Sequence, residues 1–172
     1  AIVMISSSRK DIEQADALII PGVGSFGKAM QNLEKLDLIL PIVDFAMEKE
    51  KPVLGICLGM QLFANSSEEN GFNKGLSLIP GDVIRMKSMP DLRLPHIGWN
   101  ELQVLNESPL FYGIKEQSFY FVHSYFFKCK KKYVSAKTNY GYSIASAVQN
   151  KNVFGVQFHP EKSQKLGLKI LK

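Results

Sequence analysis

The chain has 172 residues, 45% of them hydrophobic and 22% charged; that is enough for one sizeable core and is ordinary for a globular protein. No apolar run approaches the roughly 20 residues of a membrane-spanning helix, and no charged-then-apolar leader opens the chain, so a cytoplasmic location with no membrane partner is expected. The net charge of +5 is concentrated in Lys128, Lys130, Lys131 and Lys132 and in the last residues (Lys162, Lys165, Lys169, Lys172); without any zinc-finger, helix-turn-helix or RNA-binding pattern it reads as a solvated basic surface, not a nucleic-acid site.

In chain order, Ala1 to Ser6 reads as a short strand and Arg9 to Ala15 as a polar helical turn. Ala17 to Ile20 is a buried strand ending at Pro21. A doubly wound fold ordinarily opens with an apolar strand and a long helix before such a point, so that first unit is expected to be missing. After Pro21-Gly-Val-Gly24, Phe26, Ala29, Met30 and Leu33 fall at helical spacing and predict a helix over Phe26 to Lys35. A second helix runs from Pro41, where a missing N–H costs little, to Lys49, and Lys51-Pro52 breaks it. Val53 to Ile56, apolar on both faces, predicts a central parallel strand, followed at once by a helix over Leu58 to Asn65.

Gly75 to Phe127 reads as several short strands parted at Pro80-Gly81, Pro90-Asp91, Gly98 and Gly113, with Ser118 to Phe127 strongly β-favouring. Tyr133 to Thr138, Ile144 to Gln149 and Val153 to Phe158 predict three more strands, and Ser163 to Leu171 a closing helix. With no repeats or linkers, residues 1–172 are expected to form one α/β domain with a mixed sheet.

The sharpest chemical signal is Gly55-Ile-Cys57-Leu-Gly59, wedged between an apolar strand and a helix. A sharp strand-to-helix turn presents a nucleophile in a strained conformation, so its flanks must be small. The following helix start favours thiolate, and the Leu58 N–H points where an oxyanion would form. Taken alone, the segment reads equally as a buried cysteine between packing glycines. Cys129, in a lysine run, receives no role, and both cysteines are expected as free thiols.

The second signal is Gln157-Phe-His159-Pro-Glu161 at the end of an apolar strand. A cysteine nucleophile needs a base, and a carboxylate can fix the tautomer of that base. A surface histidine beside a turn proline is the alternative, and the pairing gains its force from Cys57. The third is Pro21-Gly-Val-Gly-Ser-Phe-Gly27, whose spacing fits no phosphate loop. It reads as a flexible loop whose N–H groups complete an oxyanion hole, or as a plain turn.

Gly55-Ile-Cys-Leu-Gly-Met-Gln61 together with Phe158-His-Pro-Glu161 resembles the triad (class I) glutamine amidotransferases. Pro21 to Phe26, Pro95-His-Ile-Gly-Trp-Asn100 and Tyr120-Phe-Val-His-Ser-Tyr125 are similar to the branch of that family that serves imidazole glycerol phosphate synthase in histidine biosynthesis. The resemblance runs from about Asp11 to the C-terminus. It implies a doubly wound, flavodoxin-like α/β fold and a glutaminase that turns glutamine into glutamate and ammonia, with Cys57 attacking, His159 as acid–base and Glu161 orienting it.

The resemblance further implies Leu58 with Val23 or Gly24 at the oxyanion, and L-glutamine gripped by Gly22, Gln61, His123, Ser124 and Tyr125. His96, Trp99, Asn100, Tyr125 and Lys162 would lie near a barrel-shaped cyclase or synthase subunit, forming a heterodimer. No metal and no organic cofactor is implied. Read without the family, Tyr125 suits a core strand, Trp99 a core edge, Lys162 an exposed charge and His96 a loop. Two rivals stand beside this reading: the same glutaminase serving a sugar-modifying synthase, and a catalytically idle interaction subunit.

Overall fold

The computed structural model describes residues 2–90, 92–114 and 118–171; Ala1, Asp91 and Lys172, each named in the sequence reading, lie outside them. The elements in order are α1 (Arg9–Gln14), β1 (Leu18–Gly22), α2 (Phe26–Lys35), α3 (Ile39–Met47), β2 (Val53–Cys57) and α4 (Leu58–Gln61). Then come β3 (Ser66–Ser67), β4 (Asn73–Lys74), β5 (Gly81–Arg85), β6 (His96–Glu101), β7 (Gln103–Val104), β8 (Ser118–His123) and β9 (Tyr125–Cys129). β10 (Val134–Tyr140), β11 (Tyr142–Asn150), β12 (Val153–Val156) and α5 (Gln164–Ile170) complete the chain.

The main sheet has six strands in the order β1-β2-β12-β11-β10-β7. β2 lies parallel to β1 on one side and to β12 on the other, as its unbroken apolar run requires of a strand covered on both faces. β11, β10 and β7 add antiparallel, which makes the sheet mixed. A four-stranded sheet, β4-β3-β5-β9, and a two-stranded ribbon, β6-β8, pack around it. One face is closed by Phe45 of α3 and by Leu58 and Met60 of α4 with Phe63. The other is closed by Phe119 and Phe121 of the ribbon, Phe158 and Ile170 of α5.

Glycines set how closely α4 approaches the strands. A Cβ on Gly59 would stand 1.7 Å from the Ile20 carbonyl oxygen, and one on Gly55 2.5 Å from Phe63 and 2.6 Å from the Met60 nitrogen. A Cβ on Gly155, paired with Gly55 across β12 and β2, would meet the Met60 side chain at 2.7 Å. At Gly59 and Gly55 backbone therefore rests on backbone, and no other residue fits without a shift; at Gly155 the obstacle is a side chain.

Three elements differ from the sequence reading. Ile2 to Ser8 forms no strand, and Ile2, Val3, Met4 and Ile5 are exposed; a strand needs a paired neighbour, and β1 pairs with β2 alone among the described residues. α4 ends at Gln61 instead of Asn65 because the donors that would extend it turn elsewhere: the Phe63 and Ala64 N–H groups bond only three residues back, to the Met60 and Gln61 oxygens, and the Asn65 N–H donates to the Gly81 oxygen. The N–H groups of Leu76, Ile79 and Ser77 donate to the Leu62, Phe63 and Ala64 oxygens. Ser118 to Phe127 is two strands in different sheets, parted at Ser124, whose carbonyl accepts from the Met86 N–H at 2.9 Å.

Gly59→Ala is expected to destabilise the fold by about 3 kcal/mol or more, the upper range for overpacking, because the obstacle is backbone. Gly55→Ala also meets backbone, at the Met60 nitrogen, but costs less because that contact is 2.6 Å against 1.7 Å at Gly59. Urea denaturation of the two variants checks the size and the order.

Candidate active site

Cys57 stands at the junction of β2 and α4 with φ 53 and ψ −109, outside the regions an ordinary side chain prefers, which costs on the order of 1–3 kcal/mol. The buried sulfur lies 3.7 Å from the Gln157 Nε2 donor and 4.0 Å from the Val122 carbonyl oxygen. Burial pushes the thiol up to about 11, against the Leu58 N–H, the Gln157 amide and Lys162, which draw it down. The Leu58 N–H at the helix start does favour thiolate, but burial acts more strongly in the other direction. α4 is a single turn, too short for a sizeable dipole, and desolvation outweighs its one N–H.

His159 follows β12. Its N–H donates to the Tyr120 oxygen at 2.8 Å, which draws the chain off the main sheet toward β8 before the predicted strand end at Phe158. The imidazole is 2% exposed and its Nδ1 lies 2.7 Å from Glu161 Oε1. With the Nδ1 proton donated to that carboxylate, Nε2 carries the lone pair. Nε2 is buried and has no hydrogen-bond partner among the described residues. A buried acceptor left unpaired costs free energy unless something comes to meet it.

Cys57 and His159 open into one cleft of about 470 Å³, lined also by Val23, Gly24, Leu58, Gln61, Glu69, Pro95, Val122, His123, Ser124, Tyr125 and Lys162. That volume suits a small polar molecule. Leu58, Val23, Gly24, Gln61, His123, Ser124 and Tyr125, all expected at a substrate, are brought together here. Gly22 is not among the lining residues. It pairs with Cys57 inside the sheet, and a Cβ there would touch Leu58 at 3.1 Å, so its part is close packing.

The histidine assignments change. His123 lines the cleft, but both its ring nitrogens are engaged: Nδ1 with the Tyr125 oxygen at 2.9 Å and Nε2 with His96 Nδ1 at 3.0 Å. It holds the Ser124–Tyr125 corner and has no donor left for a ligand. His96, expected at a partner surface, is 2% exposed. It stacks between Phe121 and Tyr140 at centroid distances of 4.8 and 3.9 Å, and burial lowers its pKa to about 4. Asn100 is half-buried and bonds to the Asn139 oxygen at 3.0 Å and the Glu101 N–H at 2.8 Å. Of that set Trp99, 49% exposed, and the exposed Lys162 do face outward, while Tyr125 belongs to the cleft wall.

Three residues in or beside the cleft were given no role in the sequence reading. Glu69, in a loop without a motif, puts a carboxylate on the cleft and accepts the Phe26 N–H at 2.6 Å. Gln157 is fully buried beside the sulfur; the signal was a polar residue between Val156 and Phe158 at the end of a buried strand. Tyr120 lies between Trp99, at 6.2 Å, and the Lys162 ammonium, at 5.9 Å.

The sequence matches the family described as "Glutamine amidotransferase class-I" over residues 1–172. It is 48% identical over 173 residues to "Imidazole glycerol phosphate synthase subunit HisH 1" of Campylobacter jejuni subsp. jejuni (strain 81-176), covering 100% of this chain and 86% of that one. It is 45% identical over 168 residues to the HisH subunit of Listeria innocua, covering 98% and 80%. A crystal structure titled as a glutamine amidotransferase superposes with a TM-score of 0.70 at 19% identity over 95% of this chain and 80% of that one. The glutaminase domain of Trypanosoma brucei CTPS with bound acivicin gives 0.62 at 22% identity over 95% and 72%.

The strain at Cys57 predicts that Cys57→Gly is more stable than Cys57→Ala by about 1 kcal/mol, the reverse of the usual order; thermal melting of both variants checks it. A second expectation concerns acid. His96 and His123 stay neutral in the fold down to about 4 and about 3, whereas an unfolded histidine is protonated near about 6.5. Their contribution to stability is therefore present above about pH 6.5 and lost as pH falls through the folded values. Urea midpoints measured at about pH 7.5 and about pH 5 should separate, and the gap should narrow in His96→Phe.

Proposed function

The chain belongs to the class-I glutamine amidotransferase family, and on that premise we propose that it is the glutaminase subunit of an imidazole glycerol phosphate synthase, hydrolysing glutamine through Cys57, His159 and Glu161 and passing ammonia to a synthase partner in histidine biosynthesis. One observation carries the chemistry. A strained, buried Cys57 shares its cleft with a histidine whose Nδ1 is held by Glu161 and whose buried Nε2 is unpartnered among the described residues. That nitrogen is the proton acceptor a thiol pushed up to about 11 requires.

The Cys57 thiol gives its proton to His159 Nε2 as the sulfur bonds to the carboxamide carbon, and the carbonyl electron pair moves onto oxygen. The Leu58 N–H and an N–H of the Val23–Gly24 turn stabilise that oxyanion. Collapse breaks the carbon–nitrogen bond; the imidazolium returns the proton to the departing nitrogen, and ammonia leaves a thioester. Water then attacks the thioester carbon and gives a proton to His159, which returns it to the sulfur as glutamate departs. Glu69 suits the α-ammonium group of the substrate. Lys162 and the Ser124–Tyr125 corner suit its α-carboxylate.

Ammonia released to water is protonated and no longer nucleophilic, so a partner must cap the exit. The outer face of the β6–β8 ribbon supports such a contact, with Ile97 57% and Trp99 49% exposed and Tyr120 and Lys162 beside them. Aromatic side chains are favoured at protein interfaces. The partner on this reading is a barrel-shaped cyclase subunit, in a cytoplasmic heterodimer.

Glutamate release from glutamine, with and without a cyclase subunit and its nucleotide substrate, is the test. Cys57→Ala should abolish release and His159→Asn lower kcat roughly 10³-fold. Unchanged release in Cys57→Ala would end the reading. Cys57-dependent release that no cyclase subunit alters would retain the glutaminase and remove the partner.

A further inference from the structure

Gln157 is absent from the proton transfers above, yet it is fully buried and its amide touches the reacting sulfur. We propose that Gln157 is the residue that anchors the Cys57 sulfur and favours its thiolate, with its amide aligned for that task by Gln61. This rests on the reading of Cys57 as the nucleophile.

The geometry fixes which end of the amide meets the sulfur. Gln61 Nε2 donates to the Tyr125 oxygen at 3.0 Å and to Gln157 Oε1 at 3.0 Å. Both hydrogens of Gln61 are thereby used, each on an oxygen that can only accept. Turning the Gln61 amide over would set its oxygen against the Tyr125 carbonyl. Turning Gln157 over would set donor against donor. With both orientations fixed, Gln157 Oε1 faces Gln61 and Nε2 faces Cys57 Sγ at 3.7 Å. The Gln157 backbone is held as well, its N–H donating to the Ser146 oxygen at 2.9 Å.

Besides the Leu58 N–H, two groups compete for the sulfur. The Val122 carbonyl, at 4.0 Å, can accept the S–H proton and so favours the thiol. Once the proton has left, that oxygen repels the anion, whereas the Gln157 N–H bonds to it more strongly, a charge-assisted bond being roughly twice a neutral one. Gln157 thus opposes the rise that burial imposes on Cys57. It is also the one side-chain N–H on this sulfur among the described residues.

The test is the pH–rate profile of Cys57 carboxamidomethylation by iodoacetamide in the purified chain, followed on the Cys57 peptide by mass spectrometry so that Cys129 is counted apart. Gln157→Leu should move the profile to higher pH and slow the reaction roughly tenfold at a fixed pH below the midpoint, the effect of one pKa unit. Gln157→Glu, nearly the same size, should slow it further, because a carboxylate beside the sulfur opposes thiolate. Coincident profiles for folded wild-type and Gln157→Glu protein would overturn the proposal, as would a faster reaction in Gln157→Glu. Should Gln157→Leu not fold, Gln157→Met, which also removes the amide N–H, takes its place. Alkylation needs no glutamine turnover, so a shifted profile in a protein that releases no glutamate would sink the glutaminase and leave this role standing. An unshifted profile in an active enzyme does the opposite.

Discussion

Contact between α4 and the strands beneath it, backbone against backbone, is the constraint on which this molecule turns. Gly59 touches the Ile20 carbonyl, and Gly55 admits Phe63 and Met60. With the helix seated so low, β2 cannot run smoothly into it, and Cys57 takes up the whole change of direction at φ 53 and ψ −109. A looser junction would relax that residue and lower the sulfur away from His159. The adjacent parallel strand, β12, delivers the histidine at the same edge of the sheet, in register with β2 through Val156 and Ile56. Cys57 thus closes its strand, while His159, beyond the end of β12, is fixed by its N–H bond to the Tyr120 oxygen of the ribbon.

Burial shapes the electrostatics. The thiol is disfavoured as an anion, His123 and His96 are held neutral, and the carboxylate that orients His159 is half exposed, at 49%. Charge is thus kept at the rim and neutral polar groups inside, an arrangement that limits the desolvation cost of a buried site.

Much of this was legible in the sequence, and the reasons for the rest are physical. The α2 boundaries, the apolar run of β2 and the small residues flanking Cys57 follow from local periodicity and turn chemistry. His159 and Glu161 are readable because they lie two residues apart. By contrast, the end of α4 depends on the Asn65 N–H turning to the Gly81 oxygen, a tertiary event with no local sign. His96 looked like a loop residue because its burial is made by Phe121 and Tyr140, both distant in sequence. Ser118 to Phe127 is aromatic throughout, so nothing in its pattern marks the change of sheet at Ser124. Glu69 reaches the cleft through the four-stranded sheet, and a lone loop carboxylate carries no signature.

The β6–β8 ribbon keeps strict alternation: His96, Phe119, Phe121 and His123 point inward, while Ile97, Trp99 and Tyr120 lie on the other side. A period of two separates the side chains that support the cleft wall from those that meet the outside. Mutational drift on the outer positions is accordingly uncoupled from the inner ones, since neighbouring residues on a strand do not share contacts. A lineage could exchange Ile97 or Trp99 and acquire a different assembly while its hydrolytic machinery stayed under separate selection. The ribbon acts as an interchangeable connector, and its pleat is the device that makes the exchange evolutionarily cheap.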